Sequence, residues 1–589
     1  MNLITFNIDD KLLNKRSYSI VSKKKNLLFH FGCQHNKSFE KINKYRVAKV
    51  YELNKKGNLP NKLKYLEKSY NELLKNLYKK LNKAHNKNYD QNYWEILIGK
   101  WLKTFVHQTY SNWEILKKIE NKYNIKSFSK ISLSDNFFIP ENTWHAHQLI
   151  RSSQHKYNLF HHWLISKMLE NKKKIKINHL SLKNNLSIES ELLKLSKPNK
   201  YQNIFYKSLD NKIFYYLWDV PRKIKIEIMK YFKFLNIRLN TKTIREYHPK
   251  YFDRDLIFYN EYQPNNFQSF LKNIIKFTFP KIFLENFNTL ERMYKKLNWP
   301  RKPKYILTSY PYYEELFKLY CAQNYFSGSK IIITQHGMCN IFQYDDALGP
   351  ASINKTFFHA QLSWGKNRKK GLKKFLFTKK YTTKVNKFKF KKNKKILLIL
   401  YSFSEMEDRL PNGYSDNNSI NKIIYNSTIK YLKQVEKSLL KKNDIKILQN
   451  NRYPMLKNSI KKKYRNIKFM GLEKSFDKVI FQYNLSVHFF IGTPFFESIY
   501  LNQPTILIFD SKIYSSFDKK FLRFIKKFID NKICFTNAAE AAEFINNNYT
   551  NLEHWWKSPK RQKILNEFCE MFCGKSKNLH EDFKSITKI

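Results

Sequence analysis

Acidic residues are scarce in this chain of 589: 47 Asp and Glu stand against 110 Lys and Arg, a net charge of +63. Glycine (12) and proline (16) are also rare, which excludes collagenous, linker-like and low-complexity classes. Six cysteines, Cys33, Cys321, Cys339, Cys534, Cys569 and Cys573, are too few and too scattered for a disulfide framework. Cys569 and Cys573 lie four apart in a helical pattern, but no second pair or nearby His completes a zinc site. No apolar run approaches the ~18 residues of a membrane span. The N-terminus carries acids where a signal peptide is basic. A reducing, cytoplasmic setting is expected, with charge-driven association at the inner membrane surface left open.

What is present argues for a folded chain. Hydrophobic residues make up 42% and aromatic residues 16%, far above what a polycationic tail carries. At roughly 150 residues per domain, two to four domains fit the length. The basic excess has two readings. One is a polyanion-binding surface; the other is a composition biased toward Lys, Asn, Ile, Phe and Tyr that leaves solvated basic faces. No zinc finger, RRM or other nucleic-acid signature accompanies the charge, so nucleic acid is not the expected partner.

From residue 304 onward, short β-branched and aliphatic runs alternate with helical patterns, which predicts parallel sheet. Tyr305 to Ser309 reads as a strand, 312–326 as a helix and Lys330 to Gln335 as the next strand. A second series begins at Lys395, with strands at 396–400, 445–449, 468–470, 485–491, 505–509 and 533–535, each followed by a helix. It predicts a complete doubly wound domain. Between the two series, residues 368–395 hold fourteen Lys or Arg in 28 positions and no acid, which predicts a solvated basic linker. The N-terminal third reads as helical over 62–83 and 91–118, with one lone strand at 27–31.

Ligands of open α/β sheets bind beyond the carboxyl ends of the strands, so residues that follow a strand are the candidates for chemistry. Gln335-His336-Gly337 puts an imidazole at a strand end beside a glycine that permits close approach. His336 is suited to take a proton from an attacking hydroxyl or to contact a phosphate. Gly492-Thr493-Pro494 opens a helix after a strand, with Thr493 expected at the N-cap. Such a terminus binds anions, and Glu497 one turn on could hold a ribose hydroxyl. Arg452 follows another strand, where its guanidinium could grip a diphosphate. Ser402 follows the first strand of the second series and could line the same cleft. The alternatives are ordinary ones: a strand-ending buried histidine, a helix cap with an early acid, a solvated cation and a polar loop. His145, His147, His155, His161 and His162 lack a carboxylate or thiolate companion and are assigned to packing rather than metal binding. There is no P-loop, G-x-G-x-x-G, H-E-x-x-H or G-x-S-x-G.

Several of these elements, in this order, resemble a transferase family of bacterial surface-polysaccharide gene clusters. That group is GT-B-like and distantly similar to capsule Kdo transferases and CDP-glycerol glycerophosphotransferases. The resemblance rests on Leu81-Asn82 with His85, Tyr93-Trp94 and Ile96 to Leu102. It continues through Gln335-His336-Gly337, Ser363-Trp364-Gly365, Arg452-Tyr453-Pro454, Gly492-Thr493 with Phe496-Glu497-Ser498, Asn502 to Ile506, and Trp555-Trp556. Two stretches depart from the family pattern: Gly32-Cys33-Gln34-His35 lacks an expected Trp-Cys pair, and 356–360 lacks an acid.

The resemblance implies an α/β, GT-B-like fold with two Rossmann-type domains facing a cleft and a helix-rich N-terminal region. Residues 1–367 would form the acceptor side with a helical insertion, 368–395 the linker, and 396–589 the donor-binding domain. It implies a metal-independent enzyme with no cofactor, moving a sugar or polyol phosphate from a nucleotide-activated donor to a glycan or lipid-linked acceptor. Two other readings stay open: a basic protein that binds nucleic acid or anionic membrane, and an inactive GT-B scaffold in a biosynthetic complex.

Overall fold

The computed structural model describes residues 1–6, 13–23, 25–29, 33, 46–48, 59–150, 159–170, 172, 174–182, 204–208, 212–216, 234–238, 249–261, 263, 266–297, 299–309, 314–335, 358–362, 364–366, 390, 395–402, 417–448, 455–471, 476–510, 517–574 and 581. These residues form an α/β protein with three sheets. The strands of the first sheet are β1 (Asn2–Ile4), β2 (Leu27–Leu28), β3 (Arg46–Val47), β4 (Ser127–Ile131) and β5 (Lys176–Leu180). They are all parallel, in the order β3-β2-β1-β4-β5. This corrects the expectation of a lone strand in a helical N-terminal third. The expected strand at 27–31 is β2, and the four others were not anticipated; β3 is only two residues long, too short to leave a period in the sequence.

Two long helices fill the gap between β3 and β4: α1 (Leu59–His85) and α2 (Gln91–Lys122). Asp90 caps α2 by accepting from the Tyr93 N–H at 2.8 Å. Asn82 ties the helical hairpin together, donating to Tyr89 O at 2.7 Å and accepting from the Trp94 indole at 2.8 Å. The His85 ring donates to Phe283 O at 3.0 Å, and burial pushes its pKa down to about 4. These motif residues therefore hold structure. So do two of the clustered histidines. His162 accepts from the Ile131 N–H at 2.9 Å and faces Thr5 Oγ1 at 2.7 Å, while His161 bridges Asn112 and Ile150 O.

The second sheet has the order β11-β10-β9-β7-β6-β8. Its strands are β6 (Ile204–Ser208), β7 (Ile213–Tyr215), β8 (Phe234–Arg238), β9 (Tyr305–Thr308), β10 (Lys330–Thr334) and β11 (Phe358–Leu362). β7, β9, β10 and β11 run parallel, while β6 is antiparallel to both its neighbours. Helix α3 (Glu315–Phe326) completes the β9–β10 crossover, as the alternation predicts, and packs against α2. Lys318 of α3 is buried in that contact, donating to Leu97 O at 3.0 Å and to Thr143 Oγ1. One continuous apolar core runs from Leu3 to Ile333 through both sheets.

The third sheet has its own core, from Ile396 to Cys573. Its strands are β12 (Lys395–Tyr401), β13 (Asn443–Leu448), β14 (Lys468–Phe469), β15 (Tyr483–His488), β16 (Thr505–Ile508) and β17 (Cys534–Phe535). All are parallel, in the order β14-β13-β12-β15-β16-β17. Counted along the chain this is 3-2-1-4-5-6, the doubly wound order of dinucleotide-binding sheets. Its helices include α4 (Asn417–Gln434), α5 (Met455–Lys463), α6 (Thr493–Tyr500), α7 (Lys519–Asp530), α8 (Ala538–Asn548), α9 (Leu552–Lys557) and α10 (Pro559–Phe572). Asn537 caps α8 through its side chain, accepting from the Ala539 N–H at 3.1 Å, as expected. Of the basic segment 368–395, only Phe390 and Lys395 are described, and Lys395 already belongs to β12. Among the described residues no helix is long and apolar enough to cross a membrane.

Candidate functional site

The third sheet reverses its strand order between β12 and β15, because β12 leads to β13 on one side while β15 lies on the other. A crevice opens at such a switch point beyond the carboxyl ends of the two strands. Ser402 follows β12 directly, buried, with its N–H donating to Leu448 O at 3.1 Å. Gly492 and Thr493 follow β15 and start α6. Two of the stretches singled out in the sequence, far apart along the chain, thus flank one switch point.

The start of α6 differs from expectation in one respect. Gly492 occupies the N-cap and Thr493 the first helical position, with Pro494 next and no side-chain cap hydrogen bond. Among the described residues a Cβ placed on Gly492 would meet only Pro494 Cδ, at an ordinary 3.5 Å, and its backbone is not left-handed. Neither the described surroundings nor the backbone conformation demands glycine at 492. Glu497 lies one turn along α6, with only 5% of its surface exposed.

α6 is pinned from beneath by a residue the sequence reading passed over. His488 ends β15, and its Nε2 lies 3.1 Å from Ser498 Oγ and 3.3 Å from Ser486 Oγ. Ser498 in turn donates to Pro494 O at 2.9 Å. Burial pushes the His488 pKa down to about 3, so the ring is neutral and acts as a fixed strut between strand and helix. A histidine closing the strand before a Gly-Thr-Pro helix start was the available signal.

On the second sheet, Gln335 follows β10 and is buried. Its N–H donates to Leu362 O at 2.7 Å, and its side-chain oxygen accepts from the Trp364 N–H at 2.9 Å. Gln335 therefore fixes the Trp364-Gly365 turn. Gly365 has φ of +109°, and a Cβ there would come within 2.7 Å of Met571 O in α10. Lys366 reinforces that contact through its N–H to Glu570 O at 2.9 Å and its Nζ to the Glu570 carboxylate at 3.0 Å. The exit from the second sheet is thus clamped to α10 of the third sheet's core. His336, Gly337 and Arg452 lie outside the described residues. So does His155 of the histidine group. Among the described residues no three His, Cys, Asp or Glu side chains gather as a metal-binding set.

The model of the LIC12162 family transferases matches residues 16–586. The chain belongs to that family. Among solved structures, the chain is similar to the wall teichoic acid polymerase TagF soaked with CDPG. That match has 10% identity over 51% of this chain and 84% of that one, with a TM-score of 0.29. It is also similar to MurG of Acinetobacter baumannii, with 12% identity over 52% and 78% of the two chains and a TM-score of 0.27. At these scores no residue of either protein is mapped onto this transferase. A search of curated protein sequences finds no match.

Proposed function

We propose that this transferase works as a GT-B-like enzyme that moves a sugar or polyol phosphate from a nucleotide-activated donor to a surface-polysaccharide acceptor, glycan or lipid-linked. The observation that carries the reading is the placement of Ser402 and Gly492-Thr493 on either side of the switch point of a 3-2-1-4-5-6 sheet. Residues 396–589 would bind the donor and 1–367 the acceptor, with 368–395 as the link between them. The Gly492 and Thr493 N–H groups at the start of α6 would receive the donor phosphates, joined by Arg452, and would stabilise the leaving phosphate without a metal. Glu497 would accept hydrogen bonds from the ribose. His336, delivered across the cleft, would serve as general base or phosphate contact. The basic surface suits a cytoplasmic enzyme that handles phosphorylated donors beside an anionic membrane.

The test is a thermal-shift panel of CMP, CDP, UDP, GDP and their sugar conjugates on the full chain. A ligand that binds only the native state raises the melting temperature by mass action. At least one nucleotide is expected to do so; a flat response across the panel refutes the donor site.

A further inference from the structure

The second sheet carries its own polar edge. Tyr216 stands just past the carboxyl end of β7, its N–H donating to Leu307 O at 3.1 Å. Glu314 stands after the neighbouring strand β9, at the N-cap of α3. Glu314 makes no capping bond to its own helix, although a side chain at that position commonly does. Its carboxylate reaches instead across 98 residues of sequence to accept from the Tyr216 hydroxyl. The Tyr216 ring is itself held by Phe317 and Trp299, with centroids at 4.6 and 5.9 Å. Ser309 and Thr334 hydrogen-bond to each other at the ends of β9 and β10, and Gln335 follows β10. Three neighbouring parallel strands, β7, β9 and β10, therefore present polar groups at their carboxyl ends, with the Glu314 carboxylate oriented at the β7–β9 end.

We infer that Glu314, oriented by Tyr216, is the group that takes the proton from the attacking acceptor hydroxyl. The inference rests on the transferase reading and deepens it by giving the proton to this carboxylate rather than to His336. In the step, the acceptor oxygen forms a bond to the electrophilic atom of the donor and its proton passes to a Glu314 oxygen. The donor bond to the leaving phosphate breaks, and its electron pair departs with the nucleotide. Two groups act on the Glu314 charge besides burial, which raises its pKa: neighbouring Glu315 raises it further, and the Tyr216 hydroxyl lowers it. Lys318, one turn along α3, directs its ammonium away to Leu97 O and Thr143. A carboxylate lifted toward neutral pH is a better proton acceptor than an exposed one.

The experiment takes the nucleotide that gives the largest thermal shift and follows nucleoside phosphate release from its sugar conjugate, with water as the surrogate acceptor, across pH. Glu314→Gln is expected to keep the melting temperature and the nucleotide-induced shift while losing turnover about 100-fold or more. Glu314→Asp is expected to recover part of that loss. Tyr216→Phe is expected to move the acid limb of the pH–rate profile upward, because the carboxylate loses the hydrogen bond that stabilises its charge. Wild-type turnover in Glu314→Gln overturns the inference and leaves the donor site standing. An unmoved acid limb in Tyr216→Phe also overturns it, and decides the matter if Glu314→Gln does not fold. A wild-type protein that binds a nucleotide but consumes none of its conjugates overturns it as well. No nucleotide shift in the wild type overturns the transferase reading and this inference together.

Discussion

Gly492 is the residue at which fold and ligand make opposite demands. The described residues around it leave room for a methyl group, while a phosphate seated on the start of α6 would need that space. Gly492→Ala should therefore unfold at the wild-type temperature and bind nucleotide at least tenfold more weakly, as read by calorimetric titration. Glu497→Gln keeps the shape but gives up the carboxylate that would accept from the ribose, a loss of about 1.4 kcal/mol or tenfold in affinity. Competition binding against a fluorescent nucleotide measures it, and an unchanged affinity would remove Glu497 from the donor site. His336→Ala should abolish transfer with the melting curve intact; near-normal turnover in that variant would end its assignment.

At the level of elements, the clamp between Gly365 and α10 is the contact most exposed to a single change. An alanine there would have to adopt a left-handed backbone and would also press its Cβ against Met571 O. The first cost alone is about 1–3 kcal/mol. Gly365→Ala should lower the midpoint of urea unfolding measurably, and a midpoint within error of wild type would mean that the turn shifts freely. Elements of this kind were unevenly legible in the sequence. The strand–helix alternation after Lys395 gave each strand of the third sheet to within a few residues, because parallel strands buried on both faces read as continuous apolar runs. The first sheet left a fainter trace: the strand read at 27–31 falls on β2, whereas β3, two residues long, is a strand only through its pairing with β2. Thr493 read as a cap because its residue type prefers that position, yet the cap lies one residue earlier, at Gly492, and Thr493 is the first helical residue. The Tyr216–Glu314 pair was invisible for a different reason. Each residue is unremarkable in its own segment, and only the parallel pairing of β7 with β9 brings them together.

For the whole molecule, burial of neutral histidines in both cores ties stability to pH. His107 and His162 in the first core and His488 in the second have pKa values pushed down to about 3, and His85 and His145 to about 4. The unfolded chain takes up these protons near pH 6.5 while the folded chain resists them. Stability should be fully present above about pH 6.5 and should fall as the pH drops toward 4, where protonation of carboxylates adds to the charge of +63. Scanning calorimetry at pH 7.5, 6.0 and 5.0 should show a stepwise fall in melting temperature; a constant value would mean that the histidines open without cost. The same charge of +63, so prominent in the composition, names no partner by itself, because its lysines and arginines are distributed along the sequence. A donor site at the switch point of the third sheet is tested by calorimetric titration of the best-shifting nucleotide into wild-type protein and into Gly492→Ala. Saturable binding by the wild type that is weakened at least tenfold in the variant is the predicted result. Equal affinity in the two proteins would contradict a donor site at the switch point of the third sheet.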